Sequence, residues 1–182
     1  MNAKLLLGVA GALALAACSQ SDDADTTAEE TAATEPTAAA TPAAPAPQDF
    51  VDTVAASDMF EIEAAKLAQD QGTSDKVKAF AAMMIKDHTA STAGLKAAAE
   101  QDGVAVPRQM VSKDVKNIDR LEKLSGGAFD NKYISEQRAA HQQALALFTA
   151  YAKDGSGAAL KAHAAKTAPV VEMHLDHLKT LR

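Results

Sequence analysis

Tryptophan is missing from these 182 residues, aromatic residues make up only 4%, and a single cysteine is present. Runs of β-branched residues, which strands need, are scarce as well. Alanine takes their place, and it is the residue that costs least to hold in a helix. Together these features predict an all-α chain. One cysteine cannot close a disulfide within the chain, so the fold must stand on packing. A basic excess is also lacking: 24 acidic residues face 18 basic ones, for a net charge of −6. That excludes the electrostatic footprint of a nucleic-acid binder.

The cysteine, Cys18, sits in a telling place. Lys4 supplies a positive start, "LLLGVAGALALA" is an apolar stretch too short to span a membrane, and "LAAC" closes it. Residues 1–17 therefore read as a signal peptide. Leu-Ala-Ala-Cys resembles the bacterial lipobox, in which the cysteine thiol is acylated and becomes the new N-terminus. That resemblance implies a membrane partner reached through a lipid anchor at Cys18. With Ser19, not Asp, after the cysteine, it implies the outer membrane, facing the periplasm, in a Gram-negative cell. No thiol would then remain for a metal or a nucleophile.

From Ser19 to Asp49 the chain has no Lys or Arg, carries seven acids, and holds four of the six prolines. Such a stretch buries too little surface to offset its ordering entropy, so residues 18–49 are expected to form a disordered tether. As a coil it would reach about 30 Å on average. From Phe50 onward, 17 acidic and 17 basic residues remain, and the domain is formally neutral.

Helical periodicity begins at Phe50 and persists. One helix is expected from Phe50 to Gln71, stopped by Gly72. A second starts after Ser74 as N-cap and ends at "QDG", with Gly103 as the C′ residue. A short helix covers Ser112 to Ser125 and is closed by Gly126 and Gly127. A fourth starts near Phe129 and ends at "KDGSG". The last covers Ala158 to Leu181, with Pro169 inside it removing one hydrogen bond and kinking it. Four long helices and a short connector predict an antiparallel four-helix bundle over residues 50–182, made of two hairpins joined by a crossover that carries the extra helix.

Several phrases then fall in a familiar order: "EIEAAKLAQDQGTSDKVKAFAAMMIKDHTAS", "DGVAVP", "LSGGAFDNKYI", a later His141, and "AKTAPVVEMHLDHL". From Phe50 to Leu178 the chain resembles a bacterial envelope family, a domain of unknown function often labelled predicted outer membrane protein. The resemblance implies a ferritin-like bundle in the cell envelope. It implies no activity.

The histidines carry what chemistry there is. At about 100° per residue, His88 shares a stripe with Val77, Phe80, Ala81, Met84 and Leu95. His141 shares one with Ile134, Leu145 and Phe148, and His174 one with Val170, Val171 and Leu178. Antiparallel pairing about Gly72 sets Asp58 level with His88, and pairing about Ser156 sets His141 near Val171. A carboxylate from the first helix and three imidazoles are therefore expected at one depth. Glu61 and Glu63 face opposite ways on the first helix; height favours Glu61 and the bulkier apolar neighbours favour Glu63, so both are candidates. His177 and Asp58 are additional ones. Asp87, at the edge of the His88 stripe, reads as a solvated carboxylate, with a contact to a ligating histidine as the alternative.

Neutral imidazoles with one carboxylate suit a single transition-metal ion: Zn, Fe, Cu or Ni. The competing expectation is a metal-free polar layer that fixes helix register in a structural or stress-related envelope module. Di-iron ferroxidase chemistry is not expected, because Glu-x-x-His is needed on two helices and Ile85 stands three before His88. Met83 and Met84 read as core filling, and His163 lies too far along the last helix to share the site. No catalytic residue is assigned.

Overall fold

The three-residue connection Gly72–Ser74 folds the chain back on itself, and the short connection Gly155–Gly157 does so again, which sets the architecture. A computed structural model describes residues 44–181. The stretch read as a signal peptide, Cys18 and most of the expected tether lie outside the described residues. Five helices follow: α1 (Pro47–Gln71), α2 (Asp75–Gln101), α3 (Ser112–Leu121), α4 (Gly126–Asp154) and α5 (Ala158–Leu178). The hairpins α1–α2 and α4–α5 pack together through α1 on α4 and α2 on α5, and α3 lies against α1 and α4 in the crossover. The result is an all-α helical bundle with antiparallel packing. Among the described residues no helix is long and apolar enough to cross a membrane.

α1 starts three residues before the expected Phe50. Pro47 occupies its first turn, where its missing N–H costs nothing. Gln48 then donates to Asp52 at 2.8 Å and to the Ala105 carbonyl at 2.9 Å, tying this end to the α2–α3 connection. The first helix thus begins within the stretch expected to be tether. α4 likewise starts at Gly126, not Phe129, and α3 stops at Leu121, short of Ser125. Gly126 and Gly127 therefore open α4 and do not close α3, which ends at Leu121 with Glu122 as its C-cap.

Two helix ends are held by aspartates from other helices. Ser74 precedes α2 as expected, but its side chain makes no capping bond. Asp130 of α4 does that work, accepting from the backbone N–H of Ser74 at 3.0 Å and the Thr73 hydroxyl at 2.8 Å. At the far end of α2, Gly103 adopts φ 71°, Val104 N–H reaches the Ala99 carbonyl at 2.8 Å, and Gly103 N–H reaches that of Glu100 at 3.3 Å. This is the Schellman closure that a left-handed glycine permits. It turns Asp102 toward α5, where it accepts from Leu160 N–H at 2.8 Å. α5 remains helical through Pro169, whose ring is exposed, so the missing N–H leaves its lost partner on the wet side.

The core is in two pieces. Phe80, Met84, Phe129, Tyr133 and Leu178 anchor one apolar cluster. Phe50, Leu95, Phe148, Tyr151 and Leu160 anchor the other, with Phe50 stacked on Tyr151 at 3.8 Å between ring centres. Fully buried alanines, among them Ala64, Ala65, Ala81 and Ala164, leave room for the backbones to approach. Buried polar side chains from α1, α4 and α5 meet half-buried His88 of α2, and they set up the site.

Candidate metal centre

Each of three helices brings one imidazole to a common point. His88 comes from α2, His141 from α4 and His174 from α5, with ring centres 5.2 to 5.8 Å apart. One nitrogen from each ring lies within 4.8 Å of the other two. His141 and His174 are 1% exposed, so water does not explain their placement. The pairing inferred from the turns accounts for it: the stripes that bury Phe80 and Met84 on α2, or Val171 and Leu178 on α5, carry the histidines inward with them.

The outer nitrogen of every ring is engaged. His88 Nδ1 meets Asp58 Oδ1 at 2.8 Å, His141 Nδ1 meets the Gln137 carbonyl at 2.8 Å, and His174 Nε2 meets Asp87 Oδ2 at 3.0 Å. All three partners accept, so each outer nitrogen carries the proton. The inner nitrogens, His88 Nε2, His141 Nε2 and His174 Nδ1, then present lone pairs. Histidines that ligate metals are fixed in this way, with a carboxylate or carbonyl on the far nitrogen setting tautomer and ring angle. Thr92 donates to Asp58 Oδ2 at 3.1 Å and steadies that carboxylate in turn.

Three converging lone pairs repel unless a cation lies among them. His141 Nε2 and His174 Nδ1 are only 3.2 Å apart, and His88 Nε2 has no hydrogen-bond partner. Burial by itself would push the His88 pKa down, but the Asp58 hydrogen bond and the charges of Glu61, Asp58 and Asp87 outweigh it and raise it. His141 is pushed down to about 3, first by burial and then by the charges of His88 and His174. His174 is lowered, again chiefly by burial. Carboxylates around the cluster thus favour one positive charge and the rings oppose a second. A proton supplies that charge in the absence of a metal; a divalent ion fits the same field with three nitrogens to bind it.

Glu61 resolves the choice on the first helix. It is 1% exposed, accepts from the Gln137 amide, and stands 3.8 Å from His141 Nδ1. That places it on the outer side of His141, as a supporting carboxylate and outside the three-nitrogen group. Burial, only partly offset by His88 and Gln137, raises its pKa to about 7. Glu63 is corrected: it pairs with Lys66 on the surface, its side chain 45% exposed, because two residues of helix rotate it away from Glu61. Asp87 follows the alternative reading. Its side chain is 22% exposed and reaches across to His174, so it is a partner of a histidine and not a solvated carboxylate. Asp58 is buried behind His88. His177 packs edge-on against Phe80 at 5.3 Å and stays out of the cluster. Gln137 was not foreseen, although it lies one turn before His141 on the same stripe.

Neither the curated proteins nor the solved structures contain a match to this chain. The family model described as Domain of unknown function (DUF4142) matches residues 32–181, and the chain belongs to that family.

Proposed function

We propose that this protein binds a single transition-metal ion through His88, His141 and His174, in a ferritin-like bundle tethered to the outer membrane by an acylated Cys18. One observation carries the metal reading: three imidazole nitrogens converge within 4.8 Å while the opposite nitrogen of each ring is held by an acceptor. Three neutral nitrogens suit Zn, Fe, Cu or Ni, and leave a coordination position for water or a ligand. The role is binding, without an assigned reaction. Two antiparallel hairpins joined by a crossover support the ferritin-like reading. "LAAC" after a short apolar stretch supports the anchor.

Elemental analysis of the untagged chain tests the metal. One equivalent is expected in the parent and none in His88→Ala or His141→Ala. Sub-stoichiometric metal in a folded parent that zinc, copper and iron do not stabilise would instead favour a second reading. In that reading the histidines and their acceptors Asp58, Asp87 and the Gln137 carbonyl form a metal-free polar layer that holds the helices in register. Metabolic labelling with a fatty-acid analogue tests the anchor: label is expected on the parent and absent from Cys18→Ser.

A further inference from the structure

The three-histidine centre forms part of the wall of a cavity of about 800 Å³. That is within the range of sites for small organic molecules. The cavity reaches along the bundle to His163, eleven residues before His174 on α5, a rise of about 16 Å. Ala140, Ala144, Leu147, Phe148 and Val170 make much of its wall apolar.

The remaining wall holds polar atoms with nothing to bond. His88 Nε2, Ser91 Oγ, Glu136 Oε2 and His163 Nε2 are buried, belong to residues that line the cavity, and lack a hydrogen-bond partner. Buried polar groups are nearly always paired, so four orphans along one cavity mark where an occupant's polar atoms go. His163 is separate from the metal centre and is 9% exposed. Its ring rests on Gly94, where a Cβ would come within 3.1 Å of Nδ1 and press on the ring. Burial lowers its pKa, which leaves a neutral ring able to donate or accept once.

Charge selects among occupants. Asp58, Glu61, Asp87, Asp114 and Glu136 line the cavity against only Lys113 and Lys166 as fixed cations. An anion would be repelled. We infer that the cavity binds an elongated, uncharged, mostly apolar molecule bearing a hydroxyl or carbonyl oxygen that bonds the Ser91 and His163 end, with its other end beside the histidine cluster. This assignment needs the cavity and its orphaned atoms, and it does not need the metal.

The test uses the full chain carrying Cys18→Ser, so that no acyl chain competes, with chelator present. N-phenyl-1-naphthylamine is the uncharged probe, and its sulfonated relative 8-anilinonaphthalene-1-sulfonate is the anionic one. Saturable fluorescence at one probe per chain is expected for the uncharged probe, with affinity about tenfold above that for the sulfonate. Ala144→Phe and Ala140→Phe, each filling the cavity, should each weaken the uncharged probe about tenfold while the helical circular dichroism persists. No saturable binding by the folded parent, tighter binding of the sulfonate, or unchanged binding in folded filling variants would overturn the inference. The two-probe comparison on the parent decides the matter if neither variant folds. Because chelator is present, a failure of the metal reading leaves these outcomes untouched.

Discussion

His141 and His174 meet nitrogen to nitrogen, Nε2 to Nδ1 at 3.2 Å, with their far nitrogens bound to the Gln137 carbonyl and the Asp87 carboxylate. With those far nitrogens protonated, the two facing lone pairs repel, and a cation among the three rings would relieve them.

A metal that binds only the folded chain stabilises it by mass action. Zinc at a hundred times its dissociation constant adds about 2.7 kcal/mol. For a domain of this size that raises the melting temperature by roughly 10 °C. Calorimetry with and without zinc should show the rise in the parent and none in His141→Ala.

The partners of the far nitrogens should matter for affinity and little for the fold. Asp58→Asn and Asp87→Asn keep the shape but can present an amide N–H to the ring and spoil its tautomer. Each is expected to lower metal affinity about ten- to a hundredfold, read by competition with a chelating dye. Unchanged affinity in both variants would show that these carboxylates do not orient the ligands.

Glu61 makes the metal-free protein sensitive to pH. Its folded pKa is about 7 against an ordinary 4.5, so the folded state binds its proton more tightly than the unfolded state does. That contribution is fully present below pH 4.5 and is lost as the pH rises to about 7. The gap corresponds to roughly 3 kcal/mol. Glu61→Gln keeps an acceptor for Gln137 and removes the charge. Denaturant unfolding should find it more stable than the parent at pH 8 and nearly equal at pH 4.

His141 acts in the opposite sense. With a folded pKa of about 3 against an ordinary 6.5, it stays neutral inside while the unfolded chain takes up a proton. Its contribution is present above pH 6.5 and is lost as the pH falls toward 3. His141→Phe should therefore flatten the acid limb of the metal-free stability profile, measured as the denaturant midpoint between pH 6.5 and 4. An acid limb as steep as the parent's would remove His141 as its cause.

Much of the bundle is legible without coordinates, because helical periodicity is local and the short connections at Gly72 and Ser156 fix which residues stand level. That is enough to bring Asp58 to His88 and His141 to His174. Glu61 against Glu63 was not decidable, since both faces of α1 carry apolar residues and only the partner helices say which is inside. Asp87 takes the second of its two readings, a contact to a histidine, for a related reason: a position at the edge of a stripe looks solvated until a neighbouring helix crosses it.

By itself, then, the sequence determined the helices, their pairing in hairpins and the inward stripes that carry the three histidines, all consequences of backbone period and chain connectivity. Only the tertiary structure decided which ring nitrogens face inward, that Asp130 and Asp102 close helices other than their own, and that a cavity adjoins the histidines. Those features depend on side chains from segments far apart in the chain meeting at specific angles, and no local pattern encodes that angle.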